Sequence, residues 1–125
     1  MKTSDYFIIE KITKGEDRIE VVASIDNSHW ICNVHFPDKP ITPGAVITNT
    51  IQDIISDVFK RRYVINKIKS ARFLSPIYPD SKEKVIFFIS YTSNDGFEIN
   101  VKANVFSSAE LQFAKCSLSL IPATL

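Results

Sequence analysis

One histidine of this sequence, His35, heads the run His35-Phe36-Pro37-Asp38-Lys39-Pro40-Ile41-Thr42-Pro43-Gly44, in which proline recurs at every third position. An imidazole titrates close enough to neutrality to take a proton from a weakly acidic carbon. The prolines fix φ, remove backbone donors and push each preceding residue toward extended backbone, so His35 is held in place before any ligand arrives. Gly44 closes the run. Without a β-carbon it lets a bound group approach the backbone, and if a helix starts beside it, the first N–H groups have no intrahelical partner and carry the positive end of the dipole. A carbonyl oxygen could be polarised there. Beyond it come Asn49 and, four residues later, Asp53. On a helix these share one face, about 6 Å apart along the axis. The Asn49 amide can donate and accept hydrogen bonds but cannot exchange a proton at neutral pH, which leaves Asp53 as the only nearby carboxylate.

The other reactive side chains lack such a setting. His29 has no His, Cys or carboxylate beside it at metal-ligand spacing and reads as structural or exposed, so no metal site is expected. Cys32 and Cys116 are far apart, form no CxxC pair, and read as small buried hydrophobes. Asp38 reads as an exposed loop residue, and Thr42 and Thr48 as small polar neighbours of the site without a role of their own.

The positioning elements follow from periodicity. Tyr6 to Thr13 and Arg18 to Ile25 are rich in aromatic and β-branched residues and flank the turn-like Lys14-Gly15-Glu16-Asp17, which predicts a β-hairpin. The three prolines make 26–43 an ordered loop or very short strands. From Gly44, the residues Ile47, Ile51, Ile54, Ile55 and Val58 trace an apolar helical face, and a helix of about four turns should end near Lys60 to Arg62. Its β-branched content gives it poor intrinsic propensity, so burial must hold it, which suggests a central helix wrapped by a sheet. Three further stretches follow: Val64 to Phe73, ending at the turn 75–80; Lys84 to Thr92; and Phe97 to Ser107. The second and third are joined through the Asp95-Gly96 pair. Phe97, Ile99, Val101, Ala103 and Val105 alternate with polar residues and should be buried. A last strand, Leu111 to Leu120, alternates again from Leu111 and Phe113. The fold class is α+β, one domain spanning 1–125.

Composition narrows the partners. With 45% hydrophobic residues the chain can bury a core without disulfides, and 15 Lys+Arg nearly balance 14 Asp+Glu. No basic field would attract nucleic acid or an anionic membrane. Lys60-Arg61-Arg62 is the one basic run, read first as a solvated helix end. The start of the chain lacks a signal-peptide stretch and no run of apolar residues is long enough to span a bilayer, so a reducing cytoplasm fits.

The His35 to Gly44 run resembles the H-F-P-x-x-P-x-x-P-G signature of the beta-hydroxyacyl-acyl-carrier-protein dehydratases, and Ala71-Arg72-Phe73, Pro76 and Pro79-Asp80 resemble that family's strand and turn after the helix. The resemblance implies a hotdog fold, an antiparallel sheet wrapped around one long central helix. It implies a (3R)-hydroxyacyl thioester as substrate, carried on the phosphopantetheine of an acyl carrier protein in fatty-acid or polyketide-like lipid biosynthesis, and no cofactor of the protein's own. His35 would remove the proton alpha to the carbonyl, with Phe36, Pro43, Gly44 and Ala45 against the substrate. The family's catalytic carboxylate falls at Asn49, so the usual dyad is broken. Asn49 would orient the leaving hydroxyl, and Asp53 would either act as a displaced acid or bond across a subunit interface. The family also implies a homodimer or higher homo-oligomer with shared sites, which the polar Asn49 and Asp53 face suits. Lys60, Arg61, Arg62, Lys67, Lys69 and Arg72 would meet the carrier's acidic surface. Two alternatives stay open: a noncatalytic acyl- or carrier-binding partner of a dehydratase, favoured by Asn49, and an acyl thioesterase.

Overall fold

Among the described residues, the runs of β-branched and aromatic residues form six strands, and the long stretch with helical period from Gly44 forms a helix between the second and third. The computed structural model describes residues 5–29, 41–93 and 95–123. In chain order the elements are β1 (Phe7–Lys14), β2 (Arg18–Ile25), α1 (Gly44–Phe59), β3 (Tyr63–Phe73), β4 (Val85–Thr92), β5 (Ile99–Ser107) and β6 (Gln112–Pro122). The strands make one sheet in the order β1-β2-β4-β5-β6-β3, with every neighbouring pair antiparallel. The chain therefore leaves one side of the sheet after β2 and returns, through α1, as the far edge. With its inner face folded around α1, this is the expected hotdog arrangement.

Burial explains why α1 is helical. Val46, Ile47, Ile51, Ile54 and Ile55 are at most 3% exposed, and they meet the alternating inward residues of the sheet, among them Ile19, Val21, Phe87, Ile89, Val101, Ala103, Leu118 and Leu120. Local capping contributes little: Pro43 at the N-cap offers no side-chain bond, and neither terminal turn carries a charge complementary to the dipole. The helix stops where Lys60 adopts left-handed backbone (φ 55°) and the Arg61 N–H turns back to the Ser56 carbonyl. Lys60, Arg61 and Arg62 thus lie just past the last turn, all exposed. Helix side chains then fasten the next strand, since Gln52 Oε1 accepts from the Ile65 N–H at 2.9 Å and Ser56 Oγ from the Tyr63 N–H at 2.9 Å.

The turns form where their residues require. Gly15 N–H closes the β1–β2 turn on the Arg18 carbonyl at 2.7 Å. In the β4–β5 connection Gly96 takes φ +73° and Asp95 Oδ1 accepts from the Phe97 and Glu98 N–H groups. Those two bonds pull Phe97 into the turn. It is 41% exposed instead of buried, and β5 begins at Ile99 rather than Phe97. Leu111 is likewise exposed, not inward. The β5–β6 register shifts at Phe113, which is the residue inserted between the Val105–Ala114 and Phe106–Gln112 pairs. The bulge buries Phe113 and Ala114 together and breaks the alternation on which the inward placement of Leu111 rested. Smaller differences move β1 to Phe7–Lys14, start β3 at Tyr63 and β4 at Val85, and extend β6 to Pro122. No helix among the described residues is long and apolar enough to cross a membrane.

Candidate functional site

The start of α1 is where the sequence placed a carbonyl-polarising site. Pro43, with extended backbone (φ −62°, ψ 143°), delivers the chain into the helix, and Gly44 is its first residue rather than the one before it. Thr42 is anchored on both sides of this junction: its N–H donates to the Ile77 carbonyl at 2.9 Å, and its hydroxyl lies 2.6 Å from the Tyr6 hydroxyl in a buried pair. Around the junction opens a pocket of about 380 Å³, lined chiefly by Thr42, Pro43, Gly44, Ile47, Phe73 and Ile77. Ala45 is exposed and does not line it.

The missing β-carbon of Gly44 is used, but not by empty space. A β-carbon there would lie 2.6 Å from Cζ of Phe73 and 2.8 Å from its Cε2, so the Phe73 ring rests on the glycine. The surface expected to face a thioester is covered by an aromatic side chain from the end of β3. That ring is 51% exposed, so it has room to swing outward. Gly44→Ala should therefore cost under about 1 kcal/mol, because the better helix propensity of alanine offsets displacement of a half-free ring. The methyl should lower acyl-thioester turnover about tenfold by displacing the carbonyl from the backbone. Thermal melts beside turnover check this. A loss above about 2 kcal/mol would show the ring to be fixed, and unchanged turnover would remove Gly44 from the site.

Asn49 and Asp53 lie elsewhere on the helix. Asn49 is half-buried and Asp53 exposed on the outward face, and neither lines the Gly44 pocket. Asp53 instead borders a slot of about 230 Å³ between β1 and α1, with Phe7, Ile9, Ile12, Thr50, Ile54 and Asp57. It also borders a polar groove toward Arg61 and Arg62. Lost hydration raises the Asp53 carboxyl above its ordinary value, the Arg62 charge opposes that, and Asp5 adds to it. Asp53 is thus not the only carboxylate here: Asp57 shares both grooves, and Asp5, distant in sequence, is close enough to repel it. Asp57 was legible as the next i+4 position, whereas Asp5 carried no local signal.

His35 and Phe36 lie outside the described residues, as do Cys32 and Asp38. His29 is buried with its ring edge-on to Tyr6, centroids 5.7 Å apart, a structural placement. Cys116 is buried at the β5–β6 pairing, and burial pushes its thiol up. Among the described residues no group of three or more His, Cys, Asp or Glu could hold a metal.

The fold recurs in solved structures that have little sequence in common with it. The dehydratase heterocomplex ApeI:P from Xenorhabdus doucetiae superposes with a TM-score of 0.73 at 12% identity, over 92% of this chain and 97% of that one. An uncharacterised protein from Erwinia carotovora subsp. atroseptica gives 0.71 at 15% identity, over 94% and 97%. A hypothetical thioesterase with coenzyme A from Streptococcus pneumoniae TIGR4 gives 0.64 at 14% identity, over 94% and 85%. This is a hotdog-fold protein. Residues 11–110 match the ApeI-like family, described as ApeI dehydratase, and the chain belongs to that family. No curated protein matches it.

Proposed function

We propose that the protein is a cytoplasmic dehydratase of (3R)-hydroxyacyl chains held as thioesters on the phosphopantetheine of an acyl carrier protein, in fatty-acid or polyketide-like lipid biosynthesis. The observation that carries this is membership of the ApeI dehydratase family by a chain that keeps the whole His35 to Gly44 run. Binding at the start of α1 sets the thioester carbonyl against the dipole's positive end and makes the alpha C–H acidic. His35 takes the alpha proton, the C3–O bond breaks, and the departing hydroxide regains a proton from the imidazolium to leave as water. Asn49 holds the hydroxyl in line without acting as its acid. The substrate brings the only prosthetic arm.

In the assembly that goes with this reading, two copies pair through β3, an edge strand of 11 residues whose Ile68 and Phe73 are each half exposed. The site at the Phe73 end of that strand then lies beside the partner copy. Sedimentation at micromolar concentration should give a dimer, and Ser70→Pro, which removes a donor in mid-edge, should give a monomer. A wild-type monomer removes the shared-site reading. Lys60, Arg61, Arg62, Lys67, Lys69 and Arg72 are all exposed and able to meet an acidic carrier.

A second reading, a noncatalytic acyl- or carrier-binding partner of an active dehydratase, is favoured by Asn49, and one structural neighbour is itself a dehydratase heterocomplex. The deciding experiment offers purified protein 3-hydroxyacyl-acyl-carrier-protein of several chain lengths, in rising salt, and follows the enoyl product and the free carrier thiol. Enoyl product supports the dehydratase. Free thiol in its place identifies a thioesterase, and binding without either product identifies the partner subunit.

A further inference from the structure

The first turn of α1 has no local lock: Pro43 at its N-cap offers no side-chain bond, the contact that commonly secures the start of a helix. The residue before Pro43 supplies the hold instead. Thr42 is buried and fixed from two directions, its N–H donating to the carbonyl of Ile77 at 2.9 Å and its hydroxyl pairing with the Tyr6 hydroxyl at 2.6 Å. Ile77, in the turn after β3, is itself 2% exposed. Tyr6 stands just ahead of β1, 36 positions from Thr42, and is wholly buried although its side chain carries a hydroxyl. Its carbonyl takes the Asp26 N–H at 2.9 Å, and its ring meets Phe7 edge-on, itself edge-on to Phe87 in the core. Three segments remote in sequence therefore converge on Thr42, and one phenol links the sheet to the helix start.

We infer that Tyr6 and Thr42 are positioning residues for the carbonyl site: their hydroxyl pair ties the entry of α1 to the sheet and so sets where the free N–H groups of the first turn point. The inference rests on the start of α1 being the thioester site proposed above. Those N–H groups polarise a carbonyl only at hydrogen-bond distance and angle, so a first turn displaced by about 1 Å loses much of its effect. Pro43, whose ring fixes φ, passes the placement of Thr42 directly to Gly44. A single backbone bond to Ile77 leaves Thr42 free to turn about it, and the hydroxyl pair removes that freedom. Hydroxyls suit the task, because each oxygen both donates and accepts and the buried pair holds one geometry.

The test compares Tyr6→Phe, which keeps the ring on Phe7, with Thr42→Val, which keeps the shape of the threonine, with the double variant, and with Thr42→Ser, which keeps the hydroxyl. Residue-resolved hydrogen exchange of the Thr42 and Val46 amides, bonded to the Ile77 and Pro43 carbonyls, is read against the amides of β5 in the same protein. Tyr6→Phe and Thr42→Val should each speed exchange at the helix start severalfold and leave β5 unchanged. Each should lower kcat by about tenfold to 100-fold with KM moving less than about threefold, as expected for misplaced chemistry rather than lost binding. The double variant should be no worse than either single, because both remove the same bond. Thr42→Ser should stay within about threefold of wild type in kcat, since the pair is kept. Unchanged exchange at Thr42 and Val46 overturns the anchor whatever the activity, and exchange that rises equally in β5 reduces the pair to general stability and overturns it too. Faster local exchange with unchanged kcat in an active enzyme overturns the positioning of the carbonyl site. Faster local exchange in a protein that turns over no thioester, even as wild type, keeps the anchor of the helix start and removes the dehydratase reading.

Discussion

His35→Ala is expected to lower kcat/KM for a 3-hydroxyacyl-acyl-carrier-protein by at least about 100-fold, with a ceiling near 10,000-fold, the usual span for proton transfer by a positioned group. The high end is expected because no carboxylate stands at the position of Asn49 to share the work. The loss should fall on kcat, since the acyl chain and the thioester carbonyl would still be held by the pocket at Gly44. The fold should survive, because among the described residues β2, β4, β5, β6 and α1 together supply a contiguous buried core. Steady-state kinetics with a thermal melt on the same samples check both statements. A loss under threefold would mean that His35 is not the base, and a loss in KM alone would make it a binding residue.

How far the sequence led can be followed through particular residues. Ile47, Ile51, Ile54 and Ile55 announced a buried helix even though their individual propensities argue against one, because periodicity records what the core needs while propensity records only local cost. The Asp95-Gly96 turn was legible for the opposite reason, its chemistry being wholly local. Alternation failed at Phe97 and Leu111, where a turn bond and a bulge reset the phase, and neither leaves a mark in a pattern of apolar and polar letters. At the site the same division holds. The shared face of Asn49 and Asp53 follows from a spacing of four residues. The Phe73 ring on Gly44, the Tyr6 hydroxyl on Thr42 and the Asp5 charge near Asp53 are contacts between residues far apart in sequence. Glycine at 44 suggested room for a ligand, yet the nearest claimant on that room is a side chain of the chain itself.

The surroundings of Asn49 make it the most informative position to change. Asn49→Glu puts a carboxyl where the proposed dehydratase mechanism would use an acid. That carboxyl would sit one turn from Asp53, which lost hydration and the Asp5 charge already bias toward its protonated form. Two carboxyls one turn apart resist joint ionisation, so the introduced group should keep its proton to higher pH than an ordinary glutamate. An acid that protonates a leaving hydroxyl needs that bias. Half-burial adds to it in the same direction, and Arg62, which lowers Asp53, works against it. The expected result is a gain in kcat of at least about tenfold, part of the roughly 100-fold to 10,000-fold that general acid catalysis supplies. Asn49→Asp changes the volume least but reaches less far, so its gain should be smaller. Both variants should melt within a few degrees of the parent, because Asn49 is only half-buried and is not among the core residues packed around α1. With a pH series from 5 to 9, the gain should be largest at low pH and fade as the introduced carboxyl ionises. If the parent is inactive at every chain length and neither variant gains activity while acyl carrier still binds, His35 and the helix start serve recognition alone and the partner-subunit reading stands.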